Sequence, residues 1–319
     1  MGLTRPIALH EIVQTFGDEP FTTEMAARAG LTSRHLHELT TSGWTRRLLK
    51  GVYVAATAPD RLDLRVAAAR LCAPVGSVVC DRHAAWLLGA EMVLAPGEHV
   101  EARPLVLLRR RGASALKNPL VVRGQRDLAD ADITEVGGLA VTTPLRTTLD
   151  LGMVRWPSEA LAGMNAMYRT DLVDKEEIVD RSSGFRGRRW VTTLRAVAPL
   201  VHGRCESPPE DIMWLRCREA HIELEPQVEL WDGEEFIGRF DLADRDLRFA
   251  VEYDGAEWHS SPEQLARDRR RRERARALGW IIVVLRAKDL FTQDLRAEKM
   301  IRAGYLAARE RSGSEAYAA

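Results

Sequence analysis

The stretch from Phe236 to Arg286 constrains this chain most, because alternation of apolar and polar residues organises its first half and brings acids onto one face. In the first strand Phe240 and Leu242 point one way, and Arg239 and Asp241 the other. In the second, Phe249, Val251 and Tyr253 share one face, and Ala250, Glu252 and Asp254 share the opposite one. A two-residue turn at Arg245-Asp246 sets Asp241 opposite Ala250 and diagonal to Glu252. Cross-strand diagonals lie roughly 7–8 Å apart, within reach of one shared divalent ion. Like charges this close repel unless a cation or a proton stands between them. His259 follows five residues after Asp254.

Asp241, the Glu252-x-Asp254 pair, Gly255 and Trp258-His259 resemble the core of a Vsr-like (very-short-patch-repair) endonuclease, and within that group a Vsr-like domain of unknown function. The group belongs to the PD-(D/E)XK nuclease superfamily. The resemblance runs from about Glu206 to about Leu306 and takes in Ser207-Pro208-Pro209-Glu210, Pro226-Gln227, Asp268-Arg269-x-Arg271-Arg272 and Gly279-Trp280. Two departures stand out. Asp254 occupies the place of the superfamily lysine, and no cysteines flank the hairpin to build the structural zinc site of Vsr itself.

The resemblance implies phosphodiester hydrolysis with Mg²⁺ or Mn²⁺. Mg²⁺ is a hard, octahedral ion that prefers carboxylate oxygens and keeps several waters. Asp241 is then the bridging metal ligand, and Glu252 or Asp254 completes the coordination. Glu210 arrives from the preceding helix to bind a second ion or a metal water. His259 is a general acid/base or a phosphate contact, since imidazole titrates near ~6.5.

The formal net charge is zero, so basic character has to be local rather than global. Cys72, Cys80, Cys205 and Cys217 form no CxxC pair and no zinc spacing; they read as reduced thiols and point to the cytoplasm. The first residues lack the apolar core of a signal peptide, and no stretch approaches the ~20 apolar residues of a membrane helix.

Toward the N-terminus, residues 6–16 read as a short helix ending at Gly17. Thr22 or Thr23 caps a helix through Ala29, and Ser33 caps a second one, RHLHELTTSG, ending at Gly43. Trp44 to Ala56 then reads as a two-stranded wing turning at Lys50-Gly51. Helix, short glycine-containing turn and helix is the helix-turn-helix pattern. From Leu31 to Ala56, Arg34, Arg46, Arg47 and Lys50 stand against Glu38, a local charge of +3. Arg34 and His35 on the recognition helix, with Arg46, Arg47 and Lys50 on the wing, are the candidate DNA contacts. Ala26-x-x-x-Gly30-Leu31, Gly43 and Lys50-Gly51-Val52-Tyr53 resemble the winged-helix domain of AbiEi-type abortive-infection antitoxins. The resemblance extends softly through His83-Ala84-Ala85-Trp86-Leu87 and Thr143-Pro144-x-x-Thr147-x-x-Asp150-Leu151.

Residues 57–200 read as a mixed α/β section. Strands are expected at Val100–Leu108, Leu120–Val122 and Leu139–Val141, with Arg109-Arg110-Arg111 at a strand end. A helix opens at Thr143-Pro144, and further helices lie near 157–168, 173–181 and 188–199. Seven arginines crowd Arg267–Arg276 against Asp268 and Glu273, too many for one helix face. One side suits phosphate and the other suits acids, so Arg271, Arg272 and Arg286 join the candidate DNA contacts.

The expected architecture is multi-domain α/β: a winged helix-turn-helix over 1–56, a mixed α/β domain over 57–200, and a restriction-endonuclease-like α/β/α domain over 201–319. Two functions follow. In one, the winged helix delivers a metal-dependent endonuclease to DNA, in phage defence or repair. In the other, the chain is an AbiEi-type antitoxin and transcriptional regulator whose nuclease fold is inactive. DNA, a toxin partner or a second copy of the chain are the expected partners, with no membrane.

Overall fold

The computed structural model describes residues 15–92, 94, 103–109, 118, 120–255, 262–292 and 294–318. The helix expected over 6–16 lies almost wholly outside these residues, as do Arg110, Arg111, Trp258 and His259. The chain divides into two compact units, with the division near Leu151–Gly152, so the sequence boundary at residue 200 falls inside the second unit.

The first unit begins with β1 (Phe21–Thr22), α1 (Thr23–Arg28), α2 (Ser33–Thr41), β2 (Thr45–Leu49) and β3 (Val52–Ala55), the strands lying in the order β1-β3-β2. Thr22 caps α1 through its hydroxyl, which accepts the Met25 amide. Thr32, not Ser33, caps α2. Its backbone is extended, its hydroxyl accepts the His35 amide, and His35 Nδ1 accepts the Thr32 amide in return. The hairpin β2–β3 turns at Lys50-Gly51, where Gly51 has a φ of 73° that side-chain-bearing residues avoid. Phe21, Ala26, Leu31, Leu36, Leu39 and Tyr53 form the small core beneath. Leu36 sits on the buried side of α2, as its place between two exposed-facing histidines implies.

The rest of this unit comprises α3 (Leu62–Cys72), β4 (Val78–Val79), α4 (Asp81–Leu87), β5 (Leu105–Arg109), β6 (Val121–Gln125), β7 (Ile133–Val136), β8 (Leu139–Thr142) and α5 (Pro144–Gly152). Its sheet runs β6-β5-β4-β8-β7, packed on a core that includes Leu105, Leu107, Val79 and Val141. Asp150 on α5 is buried and bonded to Arg126 and Arg146, both at 3.0 Å. It is a structural acid.

The second unit holds α6 (Pro157–Tyr168), α7 (Lys175–Gly184) and α8 (Val191–Val197), close to the three helices expected from sequence. They are followed by α9 (Pro208–Glu219), β9 (Glu225–Asp232), β10 (Glu235–Asp244), β11 (Phe249–Tyr253), α10 (Pro262–Ala277), β12 (Ile281–Leu285), α11 (Ala287–Leu290) and α12 (Arg296–Ala318). The sheet order is β12-β11-β10-β9: an antiparallel meander, then a parallel strand reached through α10. That crossover needs a helix because parallel neighbours cannot be joined by a tight turn. Phe249 and Val283 meet Gly304 of α12, whereas Ala250 clusters with Ala275 of α10 and with Trp280. Alternating residues of β11 therefore pack against two different helices. Among the described residues no helix is long and apolar enough to cross a membrane.

Candidate functional site

The hairpin β10–β11 is built differently from the sequence expectation. Leu242 pairs with Val251 and Asp244 with Phe249, so the turn holds four residues, Arg245 to Arg248, rather than two. Asp244 closes it by accepting the Leu247 amide at 3.0 Å, and Arg248 takes a φ of 47°. The register moves by two. Continued along the strands, it sets Asp241 level with Glu252 instead of Ala250. Because the shift is even, the acids keep their common face.

Around Asp241 the sheet is loosened on both sides. The β9–β10 ladder pairs Phe240 with Val228 and Leu242 with Pro226 but skips Asp241 and Gln227. Gln227 has a φ of 59°. On the other side the Tyr253 amide donates to Asp241 Oδ2 at 2.7 Å, a side chain taking the place of a ladder carbonyl. From α9, Glu210 reaches the same region. Its carboxylate accepts the Glu206 amide at 2.8 Å, the Ser207 hydroxyl at 2.6 Å and Gln227 Nε2 at 2.6 Å.

Glu252 is 2% exposed and is held by two arginines of α10, Arg271 at 2.6 Å and Arg272 at 2.8 Å. Arg272 also approaches Asp254 at 3.4 Å. The stem of Arg271 crosses Gly238 so closely that a Cβ there would lie 2.5 Å from Arg271 Cδ. Asp241 has no ion-pair partner among the described residues. Burial chiefly raises its pKa, to about 7; the Tyr253 amide opposes the rise, Glu210 and Glu252 add to it, and Arg271 opposes it.

The structure thus gathers Glu210, Asp241, Glu252 and Asp254 with Arg271 and Arg272, while His259 lies outside the described residues. Four carboxylates against two guanidinium groups leave two negative charges when all are ionised. The donor set is all carboxylate, the kind a hard divalent cation takes, and Asp241 is crowded by Glu210 and Glu252 with Arg271 as a partial counter-charge. Arg271 and Arg272, expected to meet phosphate, point instead at Glu252; the buried carboxylate outcompetes solvent for them. Arg274 is likewise taken by Asp232 and Glu235, and Arg269 by Glu273. Arg267, Arg270 and Arg276 are exposed on the same helix with no ion pair among the described residues. Arg286 is exposed at the end of β12, next to Asp254, whose amide donates to the Leu285 carbonyl.

In the first unit, Arg34 and Glu38 form an exposed ion pair on α2 at 2.9 Å. His35 is engaged in the cap. Arg46 donates to the Ala58 carbonyl, and Arg47 lies over the Tyr53 ring. Lys50 stays exposed at the turn of the hairpin.

One grouping had no sequence signal. His202, Cys205 and Asp211 bring ligand-type atoms within 4.8 Å of one another. His202 Nδ1 already accepts the Arg204 amide, and Asp211 is bonded to Asn165 and Arg169. The group knots the entry of α9 onto α6. Gln227 was visible only as part of a motif, since nothing in a sequence marks a glutamine for positive φ.

Residues 12–56 match the family model described as a transcriptional regulator, AbiEi antitoxin. Over 282 residues the chain is 30% identical to the uncharacterized protein Rv2248 of Mycobacterium tuberculosis strain H37Rv, covering 88% of this chain and 96% of that one. The uncharacterized protein MT2308 of the M. tuberculosis strain CDC 1551 / Oshkosh matches to the same extent. Identity at this level over nearly the whole of both relatives shows common membership: the chain belongs to the protein family that includes Rv2248 and MT2308, and its residues 12–56 are similar to the AbiEi antitoxin regulator model.

Proposed function

We propose that this protein is a DNA-directed, divalent-metal-dependent endonuclease, in which an N-terminal winged helix binds duplex and the C-terminal unit hydrolyses a phosphodiester bond. The observation that carries the reading is Asp241: a largely buried carboxylate, crowded by Glu210 and Glu252, with no direct ion pair among the described residues. The antiparallel meander followed by a parallel strand, with Glu210 entering from the preceding helix, supports a restriction-endonuclease-like fold.

Asp241 and Glu210 would hold the ion, and Glu252 and Asp254 complete its surroundings. When bound, Mg²⁺ or Mn²⁺ supplies neutralisation of the phosphate charge. Burial and the neighbouring acids raise the Asp241 pKa to about 7 in the metal-free protein, so cation binding there would release its proton near neutral pH. Arg271 and Arg272 hold the Glu252 carboxylate in place. Exposed Arg267, Arg270, Arg276 and Arg286 grip backbone phosphates.

A second reading has its own observation. Both oxygens of Glu252 are already bonded to arginine, an arrangement that replaces a metal with guanidinium charge. On this reading the chain is a regulator of the antitoxin kind that binds DNA and a toxin partner, and its C-terminal unit is a platform. Thermal melting separates the two. The nuclease reading predicts that Mn²⁺ raises Tm and that Asp241→Asn abolishes the rise. A wild-type Tm insensitive to Mg²⁺ and Mn²⁺ favours the regulator.

A further inference from the structure

We propose that Gln227 is a positioning residue that sets the Glu210 carboxylate for the ion, a deepening that rests on the metal-site reading above. Three observations meet at this side chain. Its backbone has a φ of 59°, a left-handed conformation that non-glycine residues seldom adopt and that persists where the surroundings demand it. The β9–β10 ladder skips the Asp241–Gln227 pair and resumes in the same register at Leu242 and Pro226. Its Nε2 donates to Glu210 Oε2 at 2.6 Å, across 17 residues of sequence.

The skipped pair and the hydrogen bond belong together. The ladder runs on either side of Gln227 in one register, and in a regular strand alternation would fix where its side chain points. The left-handed step departs from that alternation, and in this conformation the amide meets a helix-borne carboxylate. Glu210 is then held by three donors, the Glu206 amide, the Ser207 hydroxyl and Gln227 Nε2. The first two sit at its own helix start; among the described residues Gln227 is the donor that ties it to the sheet carrying Asp241. Outer groups of this kind, which hold a ligand without touching the ion, typically change metal affinity by about 10–100-fold when removed.

Replacement by glycine separates the two roles of the residue. Glycine adopts positive φ without strain, so Gln227→Gly preserves the backbone and deletes only the amide. With the full-length protein, the expected result is an unchanged or higher Tm for Gln227→Gly together with Mn²⁺ binding weakened at least about tenfold, read by electron paramagnetic resonance. Gln227→Ala weakens binding equally but keeps the positive-φ strain that Gln227 already bears, so its Tm lies below that of Gln227→Gly. Wild-type Mn²⁺ affinity in Gln227→Gly overturns the proposal and leaves the metal-site reading standing. If the wild-type protein binds no Mn²⁺, the metal-site reading falls. Side-chain relaxation of Glu210 by NMR then decides for Gln227: greater Glu210 mobility in Gln227→Gly supports positioning, and unchanged mobility rejects it.

Discussion

At the scale of single residues, Asp241 sets the pH behaviour of the C-terminal unit. Its pKa rises on folding from 3.8 to about 7, so ionising it disfavours the folded state. The penalty is absent below about pH 4, grows as pH rises, and is complete above about pH 7. Asp241→Asn removes it. The variant should be more stable than wild type by about 1–4 kcal/mol at pH 8 and nearly equal at pH 4, as read by urea denaturation. Asp211 also has a pKa raised to about 7, chiefly by burial, so part of the wild-type slope survives in the variant. Equal slopes in both proteins contradict the assignment. Glu252 behaves oppositely. Glu252→Ala strands two partly buried guanidinium groups and should cost about 3–5 kcal/mol, measured by the same method. The identity of these acids was legible in their spacing, because period-2 alternation survives an even register shift. Their counter-charges were not: which arginines of a ten-residue run turn inward depends on helix phase against the sheet, which no local pattern encodes.

At the scale of elements, the sequence located most helices and strands, and the misses have physical causes. The β10–β11 turn was read as two residues because Arg245-Asp246 is polar; the deciding group was Asp244, whose side chain closes a longer turn. At α2, Ser33 looked like the cap, but the extended backbone and the returning His35 imidazole select Thr32. Thr32→Ala should therefore cost about 1 kcal/mol, whereas Ser33→Ala should be near neutral, a difference visible in Tm. The same capping role withdraws His35 Nδ1 from direct base contact, and the Arg34–Glu38 pair occupies the neighbouring charge. Lys50 at the hairpin turn is exposed and is the candidate phosphate contact of this segment. Lys50→Ala should lower DNA affinity across sequences and reduce the slope of log affinity against log salt by about 1, measured by fluorescence anisotropy. An unchanged slope places the DNA contact elsewhere.

At the scale of the whole molecule, a segment similar to the AbiEi antitoxin regulator model and an acid-lined α/β unit share one chain, and the match to Rv2248 covers 88% of it. The helices over 157–199 looked like part of a middle domain from sequence, yet they belong to the compact unit that carries the acids. Asn165 and Arg169 show why: both bond Asp211, the residue after Glu210, so the α6 region braces the helix that supplies the site. The most direct measurement is cleavage of supercoiled plasmid and single-stranded circular DNA by the purified protein with Mg²⁺ or Mn²⁺, set beside Asp241→Asn. The account predicts metal-dependent nicking or cutting by wild type and its loss in the variant. DNA binding without cleavage by either protein, or equal cleavage by both, contradicts it.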